Sequence, residues 1–505
     1  MSEMTRTKKF MYNSIFTALY QIVVMLVGFV TPRVILQFYG SELNGLVSSI
    51  NQFITYLSLV EAGIAGAAVY ALYKPLADED HGAISSVVSA TKKFYIQSGW
   101  IFVGLIGAMM LVYPLFVKTG KLSIVAVMAL VLVLGAKSFL EFFTLAKYRV
   151  ILTADQKTYV VSNASTIYVL LQMVIIVVLS ILRVNIVIVY AVAIIALLAR
   201  SFILMWYVRK HYSYIDYNAT PNVKALDQRW DALFLQILGA AQTGAPILLA
   251  TIFTPLTDVS IYSIYNMVTA GINGVLSIFV NGLSAGFGDV IARKENKALQ
   301  HSYKDFEYAY YVLITIVYAT TGIMLLPFIK IYTAGIHDAD YIQPLIAVLF
   351  TVNGLLYNLK TPQGTLVISA GMYRETRYRS LTQALIIIGV GALLAPFFGL
   401  VGILIASCLS NLYRVIDLLF FVPRRITGLP VKHSLRGIVV SAGLCTAILV
   451  AAAFIPFETN SMLDWVWQGL LACLATCGIT IGVNFLIDRK QLFYVMGRLK
   501  YMFKR

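Results

Sequence analysis

Between Phe10 and Pro32 the chain runs for 23 residues without a charged side chain. A run of that length is a strong constraint, because a helix rises roughly 1.5 Å per residue and about 20 apolar residues cross a bilayer core of roughly 30 Å. Arg33 closes the run. A short polar turn follows, Tyr39-Gly40-Ser41-Glu42-Leu43-Asn44-Gly45, and then a second apolar segment with a lone acid at Glu61. The two segments are expected to form a hairpin of membrane-spanning helices. The amino terminus is basic and then apolar, yet the run is too long for a signal peptide and lacks a small-residue cleavage site, so it reads as a retained first span.

The same pattern repeats downstream. Apolar stretches bounded by charge, proline or glycine give fourteen candidate spans, at 11 to 38, 43 to 72, 94 to 117, 122 to 146, 158 to 182, 184 to 207, 232 to 254, 259 to 288, 308 to 332, 341 to 368, 378 to 395, 400 to 422, 436 to 456 and 464 to 487. The uncharged run from Ser380 to Asn411 is too long for one crossing, and Pro396, Gly399 and Gly402 are expected to break it into two helices joined by a tight turn. Pro32 is expected to kink or end the first helix. Composition agrees with a polytopic membrane protein: 12% of the 505 residues are charged, against about 25% in soluble domains.

The net charge of +16 raises the question of nucleic acid. The placement of the basic residues answers it. With the amino terminus inside, thirty Lys and Arg fall in inside segments, and five fall outside, Arg33, Lys118, Lys121, Arg183 and Lys330. That asymmetry predicts both termini in the cytoplasm and an even number of spans, with the basic excess facing anionic lipid rather than nucleic acid.

A weak twofold repeat runs through the chain. The segment 152–159 before span five resembles 368–378 before span eleven, and span six ends Ala199-Arg200-Ser201 where span twelve ends Tyr413-Arg414-Val415, at offsets of 214 to 216 residues. Glu42 and Asp258, before spans two and eight, are also 216 apart. The expected architecture is all-α, with two pseudo-symmetric six-helix lobes (1–215 and 216–430) enclosing a central cleft, and a two-helix extension with a basic tail (431–505).

Seven ionisable side chains remain within the spans: Glu61, Lys137, Glu141, Arg200, Lys360, Arg414 and Asp417. Each costs about 2.5 to 3.5 kcal/mol at mid-membrane on insertion scales, so each should face protein or water. Local pairing accounts for some of them. Lys137 and Glu141 are i, i+4 on one helix, and Arg414 and Asp417 are i, i+3, so each pair can neutralise itself. Arg200 and Lys360 have no acid within a turn, and their long side chains can snorkel. Depth supports a functional reading: the cations Lys137, Arg200, Lys360 and Arg414 all lie in the second half of spans running from outside to inside. A cleft open to the cytoplasm with several cations suits an anion such as a diphosphate. Glu61 is either the partner of a cleft cation or a coupling site for H+ or Na+. Arg33 is either an interfacial anchor or a late contact for a departing headgroup.

The four cysteines lie in apolar segments and the five histidines are scattered through loops, so neither a disulfide framework nor a metal site is expected. No Gly-rich phosphate loop, nucleophile elbow or carboxylate pair in a soluble domain is present, and the longest inside loops are too short for a catalytic domain. Neither an enzymatic function nor a cofactor is expected.

Thr31-Pro32-Arg33, then Gly-x-Glu-x-Asn-Gly over 40–45, Ser48-Ser49-Ile50 and the stretch from Tyr56 to Ile64 together resemble the amino-terminal hairpin of the bacterial polysaccharide flippases, the Wzx-type exporters of lipid-linked sugar repeat units within the multidrug/oligosaccharidyl-lipid/polysaccharide (MOP) superfamily. The resemblance implies an undecaprenyl diphosphate carrier, delivery to the outer leaflet of the bacterial plasma membrane, a role in capsule, O-antigen or exopolysaccharide assembly, and work alongside a polysaccharide polymerase. Under it, Arg200, Lys360, Arg414, Lys137 and Arg33 would receive the diphosphate, while Glu61, Glu141 and Asp417 would serve as charge partners or ion-coupling groups. Three alternatives stay open: a cell-wall precursor (lipid II) flippase, a cation-coupled drug exporter of the same superfamily, and a non-transporting membrane scaffold.

Overall fold

The computed structural model describes residues 6–61, 63–226, 229–455 and 459–502. Among them there is no strand, and the expected all-α multi-pass architecture is found. The helices are α1 (Arg6–Tyr39), α2 (Ser41–Leu57), α3 (Ile64–Ala77), α4 (His81–Phe116), α5 (Ile124–Leu140), α6 (Ala146–Ala154), α7 (Thr158–Ile181), α8 (Ile186–Ala193), α9 (Ile195–His211), α10 (Arg229–Phe253), α11 (Leu256–Ala292), α12 (Asn296–Tyr332), α13 (Pro344–Leu359), α14 (Thr361–Ser369), α15 (Tyr373–Val422), α16 (Val431–Ala452) and α17 (Met462–Met502). Ten helical segments among the described residues are long and apolar enough to cross a membrane.

Local chemistry sets many boundaries. Asp80 caps α4 by accepting from the Ala83 N–H at 2.9 Å, and Asn185 caps α8 by accepting from Val187 N–H at 2.9 Å. The long run after residue 380 does fold back on itself. Gly399 has φ 55° and ψ −132°, outside helical space, and a Cβ on Gly402 would stand 2.7 Å from the Leu394 carbonyl oxygen. Eight residues of straight helix would hold those two sites about 12 Å apart. Ser410 donates to the Gln383 carbonyl at 2.9 Å, tying the two arms together.

Other boundaries differ from expectation. Pro32 neither ends α1 nor breaks it into two elements, and the helix continues to Tyr39. α4 begins at His81 and α12 at Asn296, each about a dozen residues before the apolar stretch that marked it. Both early turns carry buried apolar side chains, Ile84, Val87 and Val88 in α4 and Leu299 and Phe306 in α12, so packing extends these helices through charged sequence. α17 continues past 487, with a non-helical residue at Asp488 (φ −148°).

The chain divides into two compact units, Met1–Ser260 and Ile261–Arg505. In the first, α1 packs along α7, α4 against α3 and α5, and α7 against α9, around Leu46, Ile50, Tyr95 and Phe102. In the second, α12 is the hub and packs on α13, α16 and α17, while α13 packs on α15. Outward positions are apolar, with Leu474 69% and Leu486 83% exposed, whereas Ser41, Asn358 and Gln363 are buried. Apolar groups outside and paired polar groups inside are what a bilayer requires of a helical protein.

Candidate functional site

In the first unit the charged residues are assembled by two interruptions of helical geometry. α2 gives way to a 3₁₀ turn over Ser58–Glu61, and the left-handed Gly63 (φ 90°) starts α3, which leaves Glu61 at the break. α5 gives way to a π-helical turn over Glu141–Leu145 before α6 begins. Such turns recur at functional sites.

The two breaks are joined by arginines. Arg200 Nη1 donates to Glu141 Oε1 at 3.1 Å, and Arg149 Nη1 donates to the same oxygen at 3.3 Å. Arg149 Nη2 lies 3.8 Å from Glu61 Oε1. The result is a chain of alternating charge, Glu61–Arg149–Glu141–Arg200, whose formal charges cancel. One polar atom at each end is buried without a hydrogen bond, Glu61 Oε2 and Arg200 Nε.

Lys137 stands outside this chain. It does not pair with Glu141 as the i, i+4 spacing suggested, because both arginines occupy that carboxylate. Its ammonium instead lies 5.5 Å from the centre of the Tyr168 ring, and Arg200 approaches the same ring at 5.9 Å. Lys137 lines a cavity of about 300 Å³ with Thr31, Asn51, Tyr168, Gln172 and Tyr190, and no carboxylate lines it. Arg33, two residues beyond Thr31 on α1, is not part of that lining.

In the second unit the helix break falls at Lys360 itself, between α13 and α14, with Pro362 in the first turn of α14. Lys360 is buried rather than snorkelling outward. It donates to Asn411 Oδ1 at 2.8 Å and lies 4.7 Å from the Tyr357 ring centre. Asn411 is held in turn by donating to Asn353 Oδ1 at 2.8 Å. Among the described residues no carboxylate forms an ion pair with Lys360. Arg414 and Asp417 do pair, at 2.8 Å, and Arg379 shares the same carboxylate. Two guanidinium groups on one carboxylate leave a formal charge of +1.

The predicted residues are thus sorted by charge balance. Glu61, Glu141 and Arg200 belong to a neutral network, Arg414 and Asp417 to a triad with excess positive formal charge, and Lys137 and Lys360 form no ion pair with a carboxylate among the described residues. Two participants were not foreseen. Arg149 and Arg379 were counted as inside-segment charges. Glu141 and Arg149 are eight residues apart, near two helical turns, and that spacing was the readable signal for the first.

The helices build a multi-pass membrane protein whose fold is similar to that of solved MOP superfamily transporters. Its structure is similar to that of the lipid II flippase MurJ in an inward closed conformation, with a TM-score of 0.67 at 14% identity over 92% of this chain and 98% of that one. It is also similar to an inward-facing multidrug resistance MATE family transporter, with a TM-score of 0.63 at 13% identity over 86% of this chain and 98% of that one. A third similar structure is a MOP superfamily transporter from Pyrococcus furiosus, described as having a binding pocket of reverse polarity, with a TM-score of 0.60 at 13% identity over 88% of this chain and 99% of that one. No protein-family model and no curated protein matches the sequence.

Proposed function

We propose that this chain is a flippase of the bacterial plasma membrane, with both termini cytoplasmic, that moves a polyprenyl-diphosphate-linked oligosaccharide to the outer leaflet for polysaccharide assembly. Two six-helix lobes, 1–215 and 216–430, alternate access to a cleft between them, and 431–505 forms an extension. The observation that carries this reading is Lys137 and Lys360, two basic side chains inside the expected spans that form no ion pair with a carboxylate among the described residues. An uncompensated ammonium costs several kcal/mol in such a place, a cost that an arriving anion offsets. Diphosphate supplies that anion. Asn51, Gln172 and Tyr190 around Lys137 offer hydrogen bonds to sugar hydroxyls. A carrier of cationic drugs would place free acids there instead. Arg33, Arg200 and Arg414 act as further contacts along the path, and Glu61, with one oxygen unpaired, is the candidate site for a coupling H+ or Na+.

The test is surface polysaccharide measured at matched protein abundance in cells carrying Lys137→Ala or Lys360→Ala. Export should fall about tenfold or more in each, the effect of losing one charge-assisted contact of roughly 1.5 kcal/mol or more. Undiminished export in both variants overturns the proposal. A second reading, a cell-wall precursor flippase, is favoured by the structural similarity to MurJ. Rescue of growth in cells depleted of their lipid II flippase would select it over the first.

A further inference from the structure

Glu307 lies in the second unit where α12 meets α14 and α16, and one of its donors, Gln363, is three residues after Lys360. It is 2% exposed. Tyr303 donates to its Oε1 at 2.7 Å, Tyr311 at 3.3 Å and Gln363 Nε2 at 2.9 Å. Ser434 donates to Oε2 at 3.0 Å, and the His433 ring nitrogen is 3.6 Å from the same oxygen. Every hydrogen bond it receives comes from a neutral donor, and three of the four fall on Oε1. A carboxylate offers about four lone-pair sites over its two oxygens, so Oε2 has room for one more donor.

That carboxylate lines a pocket of about 80 Å³ between α12, α16 and α17. Its other charged walls are Arg436 and Asp488, and Tyr308 also lines it, with a hydroxyl buried without a hydrogen-bond partner. Arg436 donates to the Ile487 carbonyl at 3.0 Å, at the point where Asp488 leaves helical geometry. Both signs of charge therefore sit at one end. From there Arg436, Val440 and Leu444 recur every four residues along α16, as do Glu307, Tyr311 and Thr315 along α12, so beyond its charged end the pocket is lined by Val312, Val440 and Leu444 together with the polar Thr315, Ser441 and Asn484. The charged end falls where the apolar spans of α16 and α17 give way to Lys432, Arg436, Arg489 and Lys490, a transition expected at the level of lipid headgroups.

We infer that this pocket binds a phospholipid with a zwitterionic ammonium–phosphate headgroup, the ammonium against Glu307, Asp488 and the Tyr308 hydroxyl, the phosphate against Arg436 and His433, and an acyl chain along Val440 and Leu444. The ammonium must be a primary one. It donates hydrogen bonds to Oε2 and to the Tyr308 oxygen, which a trimethylated ammonium lacks. The inference stands apart from the proposed transport activity, and its test does not use export.

The full-length protein, stripped of lipid in detergent, is presented with phosphatidylethanolamine, phosphatidylcholine and phosphatidylglycerol of the same acyl chains, and retained lipid is counted by native mass spectrometry. Phosphatidylethanolamine should be retained about tenfold over the other two, as the loss of one hydrogen bond to a charged group implies. Glu307→Gln should remove that preference. Should Glu307→Gln fail to fold, Tyr308→Phe keeps the site testable, because it removes an unpaired hydroxyl alone and should reduce the preference several-fold. Equal retention of the ethanolamine and choline lipids by the wild-type protein overturns the inference, as does an unchanged preference in the variant or variants that fold, or displacement of the bound lipid by polyprenyl phosphate.

Discussion

Glu141 holds two guanidinium groups on one oxygen, so its removal differs in kind from the removal of a solvated surface acid. In Glu141→Gln, Arg149 and Arg200 would face each other with half of their countercharge gone. Taking one partner from a largely buried ion pair costs about 3 kcal/mol or more, most of it the penalty of the charge left behind. The melting temperature in detergent should therefore fall by several degrees, and Glu141→Gln/Arg200→Gln should cost less than the sum of its two single changes because it removes the orphaned cation. Simple additivity would mean that the two side chains do not interact. Lys137 supplies the contrast. It leaves no carboxylate stranded and removes an uncompensated ammonium, so Lys137→Gln should keep or raise the stability of the wild type while export drops. A destabilisation as large as that of Glu141→Gln would make Lys137 a structural residue.

At the scale of helices, close approach between backbones decides which positions tolerate a side chain. Gly45 on α2 faces the start of α11, where Asn44 donates to Ser260 Oγ at 2.7 Å. A Cβ on Gly45 would stand 1.8 Å from the Leu256 carbonyl oxygen, a backbone atom that no rotamer change can move. A Cβ on Gly28 of α1 would meet none of the described residues within 4 Å. Gly45→Ala should therefore cost about 3 kcal/mol or more through overpacking. Gly28→Ala should be neutral or stabilise the helix by up to about 1 kcal/mol, the ordinary gain of alanine over glycine. Monodispersity and melting temperature in detergent compare the two directly; equal behaviour would mean that α2 and α11 do not cross this closely. Gly399 imposes a different limit, since its φ of 55° and ψ of −132° lie where a Cβ is strained whatever space surrounds it.

Over the whole chain, apolar length was the readable quantity and pairing between helices was not. Span five was expected at 158 to 182 and α7 is Thr158–Ile181, because an uncharged run has few other solutions in a bilayer. The starts of α4 and α12 were hidden because the first turns of α4 are rich in Ser and Gly ahead of Lys92 and Lys93, and those of α12 carry Lys297, Lys304 and Asp305, patterns that in sequence resemble a loop, and Glu307 was lost with them. Arg200 and Glu141 are 59 residues apart, and periodicity reports the faces of one helix, never which other helix a face meets. The in-and-out order of the spans is the remaining large-scale expectation, resting on the distribution of Lys and Arg alone. It is checked with single cysteines placed in exposed turns after the four native cysteines are replaced by alanine. Lys118→Cys, Leu182→Cys and Asp338→Cys lie in turns separated from the amino terminus by an odd number of expected spans. They should react with a membrane-impermeant maleimide in intact cells. Asp78→Cys and Glu295→Cys follow an even number of spans, so they should react only after permeabilisation. Labelling of Glu295→Cys in intact cells would mean that the second unit is inverted relative to the orientation its basic loops predict, and the anion would then have to enter that unit from the opposite face.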